Sequence, residues 1–330
     1  MKVSVIGTGS WGTALAEVLG RAGHSVRIWG RTTCVCDGIN SEHKNPRYLN
    51  DHTLSENIVA STVFTEVVQD TQAVVVVTPS QAMEHIATTL AEFVSHDVPI
   101  IICTKGVEAS SGRLPIEVFS KIMGNRSRFA ALSGPNHAEE VVKGLPSGTV
   151  IASEEESTAK FFQQLFAAPT LRCYTSSDVI GVEVCAAYKN VVAIAVGASY
   201  GLGFGDNTAA LLMTRGLAEM SRLVEACGGD KLTCLGLAGV GDLEVTCMSR
   251  HSRNRTFGER LAAGTTLEQY KQETHMVVEG AQACASLRTL GERYHVELPI
   301  ADVVYDIVWH DGNVGEVASR LLGRPQHDEF

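Results

Sequence analysis

The chain has 330 residues, 45% of them apolar and 19% charged, which excludes wholesale disorder and suits roughly two domains. Lys and Arg total 27 against 37 Asp and Glu, a net charge of −10 at pH 7. That balance argues against sequence-independent nucleic-acid binding, where cations must neutralise phosphates, and leaves any anionic ligand to a few local cations.

The first half alternates strand and helix patterns. Lys2–Ile6 is a short β-branched run, and Trp11–Ala22 follows with helical character, ending at Gly23. Ser25–Trp29 predicts a second strand, and Asn40–Asn57, polar and holding Pro46, reads as a loop. Ile58–Thr62 predicts a third strand. Ala73–Thr78 carries a run of valines, as expected for a central parallel strand buried on both faces. Pro79 stops it and Ser80–Val94 looks helical. Ile100–Thr104, Phe129–Ser133, Val150–Ser153 and Leu171–Tyr174 complete the strands, with a short helix at Asn136–Lys143. Strands separated by helix-length segments imply crossovers and a doubly wound, Rossmann-type parallel sheet with helices on both faces.

The pattern changes near Asp178. Val179–Ala198, Thr208–Ala226, Ser252–Ala263, Gly280–His295 and Ile300–His310 have helical spacing or composition, and no strand pattern remains. The expected organisation is an α/β domain over residues 1–178 and an all-α domain over residues 179–330. The longest weakly polar run, Val191–Phe204, falls short of the about 20 residues of a membrane span, so none is expected. Lys2 leads at once into a strand, which argues against a signal peptide. Nine scattered cysteines without CxxC spacing read as reduced thiols of a cytoplasmic protein, and the lone CxC at Cys34 and Cys36, with His43, is a poor basis for a zinc site.

Gly7-Thr8-Gly9-Ser10-Trp11-Gly12 is GxGxxG between a strand and a helix, the context that makes this pattern a dinucleotide-binding signal. Gly7 permits the turn, Gly9 lets the backbone approach a pyrophosphate, and Gly12 allows close packing, with the phosphates on free N–H groups at the helix start. Trp11 either covers the cofactor or packs on the next strand. A carboxylate at the end of the second strand would select NAD through the ribose hydroxyl. The sequence there is Trp29-Gly30-Arg31-Thr32, so NADP is favoured, with Arg31 facing a 2′-phosphate, and NAD is permitted. Lys105 follows an apolar strand and is placed to face the site from a carboxyl-end loop.

Lys189 lies inside the nearly apolar stretch Gly181–Ile194. Burying an ammonium is costly unless it is paired or loses its proton, and desolvation lowers its pKa toward the range useful for proton transfer. Gly239 and Gly241 make a turn that projects Asp242. Ser252, Arg253 and Asn254 at a helix start offer donors suited to a small phosphate.

Together these residues resemble the bacterial-type NAD(P)-dependent glycerol-3-phosphate dehydrogenase family. The likeness runs from Val3–Ala16 through Thr104-Lys105-Gly106, Leu132-Ser133-Gly134-Pro135, Lys189-Asn190-Val191, Thr214–Met220, Gly241-Asp242-Leu243, Ser252–Arg255 and Val278-Glu279-Gly280 to Leu321-Leu322-Gly323-Arg324. The resemblance implies interconversion of dihydroxyacetone phosphate and sn-glycerol 3-phosphate for glycerophospholipid synthesis. It implies Ser10, Trp11, Arg31, Lys105, Ala138, Arg253, Val277 and Glu279 as cofactor contacts. It implies Lys105, Gly134, Asn136, Asp242, Ser252, Arg253 and Asn254 as substrate contacts, and Lys189 as proton acceptor. No metal is implied, and a homodimer is admitted without being fixed. Asn136-His137 stand where the family commonly has Ser or Thr then Phe, which puts the Asn136 contact in question. The rival readings are a related hydroxyacid or sugar-phosphate dehydrogenase of the same plan, and a non-catalytic NAD(P)-binding redox sensor that would need neither Lys189 nor the Ser252–Asn254 group.

Overall fold

The computed structural model describes residues 1–274, 277–310, 312–316 and 323. Leu321, Leu322 and Arg324 of the terminal motif lie outside the described residues.

Eight strands form one sheet: β1 (Lys2–Ile6), β2 (Ser25–Trp29), β3 (Ile58–Ser61), β4 (Ala73–Val76), β5 (Ile100–Ile102), β6 (Phe129–Ser133), β7 (Ser147–Ala152) and β8 (Leu171–Ser176). Their spatial order is β3-β2-β1-β4-β5-β6-β7-β8. The order reverses between β1 and β4, and at such a switch point ligands bind outside the carboxyl ends of the strands. Val74, Val75 and Val76 of β4 are wholly buried, as the valine run predicts.

One pairing departs from the expected parallel sheet: β7 runs antiparallel to β6. The chain between them holds only the four-residue helix Ala138–Val141. A parallel return usually uses a crossover of a dozen or more residues built on a full helix, and this connection of residues 134–146 has no such helix, so the strand turns back antiparallel. Several helices also go beyond the sequence reading: Thr33–Glu42 overlaps the expected loop at Asn40–Asn57, and Pro115–Met123, Asp242–Met248 and Leu267–Thr274 have no counterpart in it, whereas Glu156–Leu165 begins where Glu154-Glu155-Glu156 reads as a solvated helix start.

After Ser176 the chain is helical. The long helix Val179–Gly201 is surrounded by Asp206–Ala226, Arg253–Ala262, Glu279–Tyr294 and Pro299–Trp309. It is long and apolar enough to cross a membrane, contrary to the shorter run read from the sequence. Its most apolar stretch is nearly all buried by these neighbours, so it is the core of the helical half and not a span. It crosses Arg253–Ala262 closely: a Cβ on Gly258 would stand 2.1 Å from the Ile194 carbonyl oxygen. That contact fixes the start of Arg253–Ala262 beside the middle of the long helix, which carries Lys189.

Candidate active site

The glycine turn joins β1 to the helix Ser10–Arg21. Gly7 has φ +127°, open only to glycine without strain, and its N–H donates to the Trp29 carbonyl at 2.9 Å. A Cβ on Gly12 would lie 1.9 Å from the Gly7 carbonyl oxygen, so the turn and the helix start require its absence. Gly9 differs: a Cβ there would meet nothing within 4 Å. Its missing side chain leaves open space directly before the free N–H groups of the helix start, which suits a pyrophosphate. Trp11 Nε1, within the turn, and Thr78 Oγ1, whose side chain lies beside Gly7, are buried polar atoms without a hydrogen-bond partner among the described residues. Open backbone, helix start and unsatisfied polar atoms together fit a dinucleotide. Trp11 is half-buried and packs against the core beneath β1 and β2. Arg31 is exposed just beyond β2.

The sheet and the helices meet at Asp242. This residue begins the helix Asp242–Met248, directly after the π-helical turn Leu237–Gly241. Lys105, from the loop after β5, donates to Asp242 Oδ2 at 3.0 Å. Ser133, the last residue of β6, donates to the same oxygen at 3.0 Å. Lys189 donates to Asp242 Oδ1 and, at 2.8 Å, to Thr246 Oγ1. Lys189 is 5% exposed and Asp242 1%, so the pair is shielded from bulk water.

Burial pushes the Lys189 pKa down to about 7, helped by Lys105 and opposed by Asp242. Burial alone would raise the Asp242 pKa, but the Lys105 and Lys189 ammonium groups outweigh it and hold the carboxyl below its usual range. The cluster therefore pairs a permanent carboxylate with an amine that exchanges its proton near neutrality, the range in which general acid–base catalysis works best.

The other sequence-predicted residues have varied geometry. A Cβ on Gly134 would stand 2.9 Å from both the Gly148 carbonyl oxygen and the Thr149 Cα, so its absence lets the β6–β7 return close. Asn136 donates to the Gly148 carbonyl at 2.8 Å, so its amide nitrogen holds β7 while its oxygen is left over. Ala138 is buried at the start of its short helix. Ser252 caps the helix Arg253–Ala262, accepting from the Arg255 N–H at 3.2 Å. Arg253 is exposed. Asn254 braces backbone: it donates to Asn190 Oδ1 at 2.9 Å and accepts from the Gly280 N–H at 2.9 Å. Asn190 thus ties two helices together, and its own amide donates to the Ala186 carbonyl at 3.3 Å. Val277 is exposed, and burial raises the Glu279 pKa to about 7 against the pull of Arg253.

Sequence reasoning missed Thr246 and the part played by Ser133. Thr246 stands four residues after Asp242, hence on the same helix face, and that spacing was the available signal. A cavity of about 730 Å³ in the helical half, lined by Ile194, Leu212, Val303 and Ile307 among others, contains none of the sequence-predicted site residues.

Family models described as the NAD-dependent glycerol-3-phosphate dehydrogenase N-terminus and C-terminus match residues 2–159 and 178–319. The chain belongs to the NAD-dependent glycerol-3-phosphate dehydrogenase family. Within it, the chain is 41% identical over 331 residues to the glycerol-3-phosphate dehydrogenase (NAD(P)+) of Corynebacterium urealyticum, covering 100% of both. It is 40% identical to that of Leuconostoc mesenteroides, covering 99% of both. The crystal structure of glycerol-3-phosphate dehydrogenase from Coxiella burnetii superposes with TM-score 0.94 at 35% identity over 98% of this chain and 99% of that one. A ketopantoate reductase from Ralstonia eutropha, 17% identical with TM-score 0.62, shares the fold alone.

Proposed function

We propose that this chain catalyses the reversible NAD(P)H-dependent reduction of dihydroxyacetone phosphate to sn-glycerol 3-phosphate, supplying glycerophospholipid synthesis. The observation that carries the reading is the buried Lys189–Asp242–Lys105 cluster, met by the carboxyl ends of β5 and β6, the same end of the sheet from which the glycine turn leaves β1. In this reading residues 1–178 form the cofactor domain and residues 179–330 the substrate and catalytic domain.

The nicotinamide cofactor, when bound, supplies the hydride. Its pyrophosphate would be held by the open backbone at Gly9 and the N–H groups after it, with Ser10 and Trp11 beside them. Val277, Glu279, Ala138 and Arg253 would complete its surroundings. Arg31, exposed beyond β2 with no carboxylate near it in sequence, favours NADPH. The substrate phosphate would meet Arg253 and the capped helix start at Ser252–Asn254, and Asn136 Oδ1 is the acceptor left for a substrate hydroxyl. Lys189 Nζ gives its proton to the carbonyl oxygen as C2 is reduced, and takes one back in the reverse direction. The Lys105 ammonium favours the negative charge that develops on that oxygen. Asp242 holds both amines and stays ionised throughout. Unpaired cysteines throughout the described chain suit work in the cytoplasm.

The test is oxidation of NADPH and NADH with dihydroxyacetone phosphate against a panel of hydroxyacid and sugar-phosphate substrates, for wild type and Lys189→Ala. The variant is expected to lose roughly 10²–10⁴ in kcat and to bind NADPH as before. Better turnover of another substrate would support the related-dehydrogenase reading. Near-normal turnover by Lys189→Ala would remove the proposed role.

A further inference from the structure

We propose that Ser133 is a positioning residue for the reduction, a proposal that rests on the reading above: its hydroxyl decides which oxygen of Asp242 each lysine holds. The two oxygens of Asp242 are divided between the halves of the molecule. Among the described residues, Oδ2 receives the sheet-side donors Lys105 Nζ and Ser133 Oγ, each at 3.0 Å. Oδ1 receives Lys189 from the long helix and, at 3.4 Å, the Thr246 hydroxyl from its own helix, both on the helical side. Ser133 is itself immobilised, because it is wholly buried and its carbonyl accepts from Thr149 Oγ1 on β7 at 3.1 Å.

A carboxylate torsion is broad and nearly two-fold, so nothing intrinsic to Asp242 chooses an orientation. Lys105 is a long, flexible partner whose side chain is 17% exposed. Ser133 is the short, rigid donor, with a single proton to give. Its loss would leave Oδ2 with Lys105 alone, and the carboxylate would draw more strongly on both ammonium groups. Lys189 would then hold its proton more tightly, and its Nζ would be less well aimed.

The groups facing this pair are Lys105, His137, Cys185 and Cys247. Burial lowers the His137 pKa, so the imidazole stays neutral over the alkaline range. For Cys185 the hydrogen bond with Cys234 comes first and burial second, and for Cys247 burial leads; both thiols are raised and stay uncharged. Lys189 is therefore the group whose titration in this range Ser133 would influence.

The experiment compares wild type, Ser133→Ala and Ser133→Cys in dihydroxyacetone phosphate reduction across the neutral and alkaline range, with Ser153→Ala as control. Ser153 is buried directly after β7 and donates to the Phe129 carbonyl at 2.7 Å, at the opposite end of β6 from Ser133. Ser133→Ala is expected to lower kcat roughly tenfold, the scale of a hydrogen bond to a charged group, with KM for the cofactor unchanged. Its alkaline limb is expected to move to higher pH. Cysteine, a weak donor of similar size, moves the limb the same way by less. Ser153→Ala is expected to lower the melting temperature without moving the limb. Ser133 variants whose kcat and limb match wild type overturn the proposal, as does an equal limb shift in Ser153→Ala. Absence of dihydroxyacetone phosphate turnover by wild type would overturn the functional reading instead.

Discussion

Lys189 and Asp242, 53 residues apart in sequence, form a hydrogen-bonded ion pair with side chains only 6% and 1% exposed. Removing two charges from water costs several kcal/mol per ion, and mutual attraction repays it only when the remaining polar atoms are satisfied. Lys105, Ser133 and Thr246 supply that satisfaction. Asp242→Asn keeps the shape and removes the charge, leaving two ammonium groups near one another without their anion. The expected result is a loss of roughly 3–5 kcal/mol in stability and a fall in kcat of at least about 10². Denaturant unfolding and steady-state kinetics measure the two separately. Wild-type stability would mean that the charge does not hold the halves together.

The pH dependence follows from Lys189. With its pKa brought down to about 7, mainly by burial, the protonated fraction falls as pH rises through neutrality. Reduction needs the protonated amine and should lose kcat above that point. Oxidation of glycerol 3-phosphate needs the neutral amine and should gain over the same range. Opposite limbs in the two directions, both absent from residual Lys189→Ala activity, are the expected signature. Limbs of the same sign would assign the titration to another group.

Gly9 and Gly12 separate binding from folding within one turn. Gly9 has φ −69°, and a Cβ there touches nothing, so Gly9→Ala should fold with an unchanged melting temperature. It should weaken cofactor binding about tenfold or more, because the methyl group occupies the approach to the helix start. Gly12→Ala drives a Cβ against the Gly7 carbonyl and should fail to accumulate as folded protein. Calorimetric titration with NADPH and thermal melting distinguish them. Unaltered affinity in Gly9→Ala would move the pyrophosphate elsewhere.

The sequence made legible what local chemistry encodes. The valine run marked the centre of the sheet, the glycine spacing marked the phosphate turn, and a lysine in an apolar helix marked a buried amine. It did not reveal that Asn254 spends its amide on Asn190 and Gly280, since that depends on which helices cross. The antiparallel β7 was hidden because a strand's direction is set by the length of its connection and not by its composition. Ser133 looked like one more residue of a strand until the helical half brought a carboxylate to it.

Arg31 is exposed past the end of β2, where a 2′-phosphate would stand in this type of sheet. Arg31→Ala should lower kcat/KM for NADPH by roughly tenfold, about 1.4 kcal/mol, and leave NADH nearly unaffected. The ratio of the two values in both proteins is the measurement. An unchanged ratio would exclude Arg31 from cofactor selection.

Glu183 is a buried carboxyl that plays no part in the proposed chemistry. It lies six residues before Lys189 on the long helix, and both of its oxygens accept from the Ile116 N–H, at 3.0 and 3.1 Å. Burial raises its pKa to about 8, Glu117 adds to the rise, and the Ile116 hydrogen bond and Arg126 oppose it. In the unfolded chain the same group ionises near its ordinary 4.5. Between those values the folded protein keeps a proton that the unfolded chain has released. The stability it supports is therefore complete below about pH 4.5 and is lost as pH rises toward 8. Glu183→Gln retains an acceptor for Ile116 and removes the titration. The variant should gain on wild type as pH rises through this window, at a slope on the order of 1 kcal/mol per pH unit. Urea midpoints measured at several pH values give that slope. Parallel curves for the two proteins would show that Glu183 is already ionised in the fold.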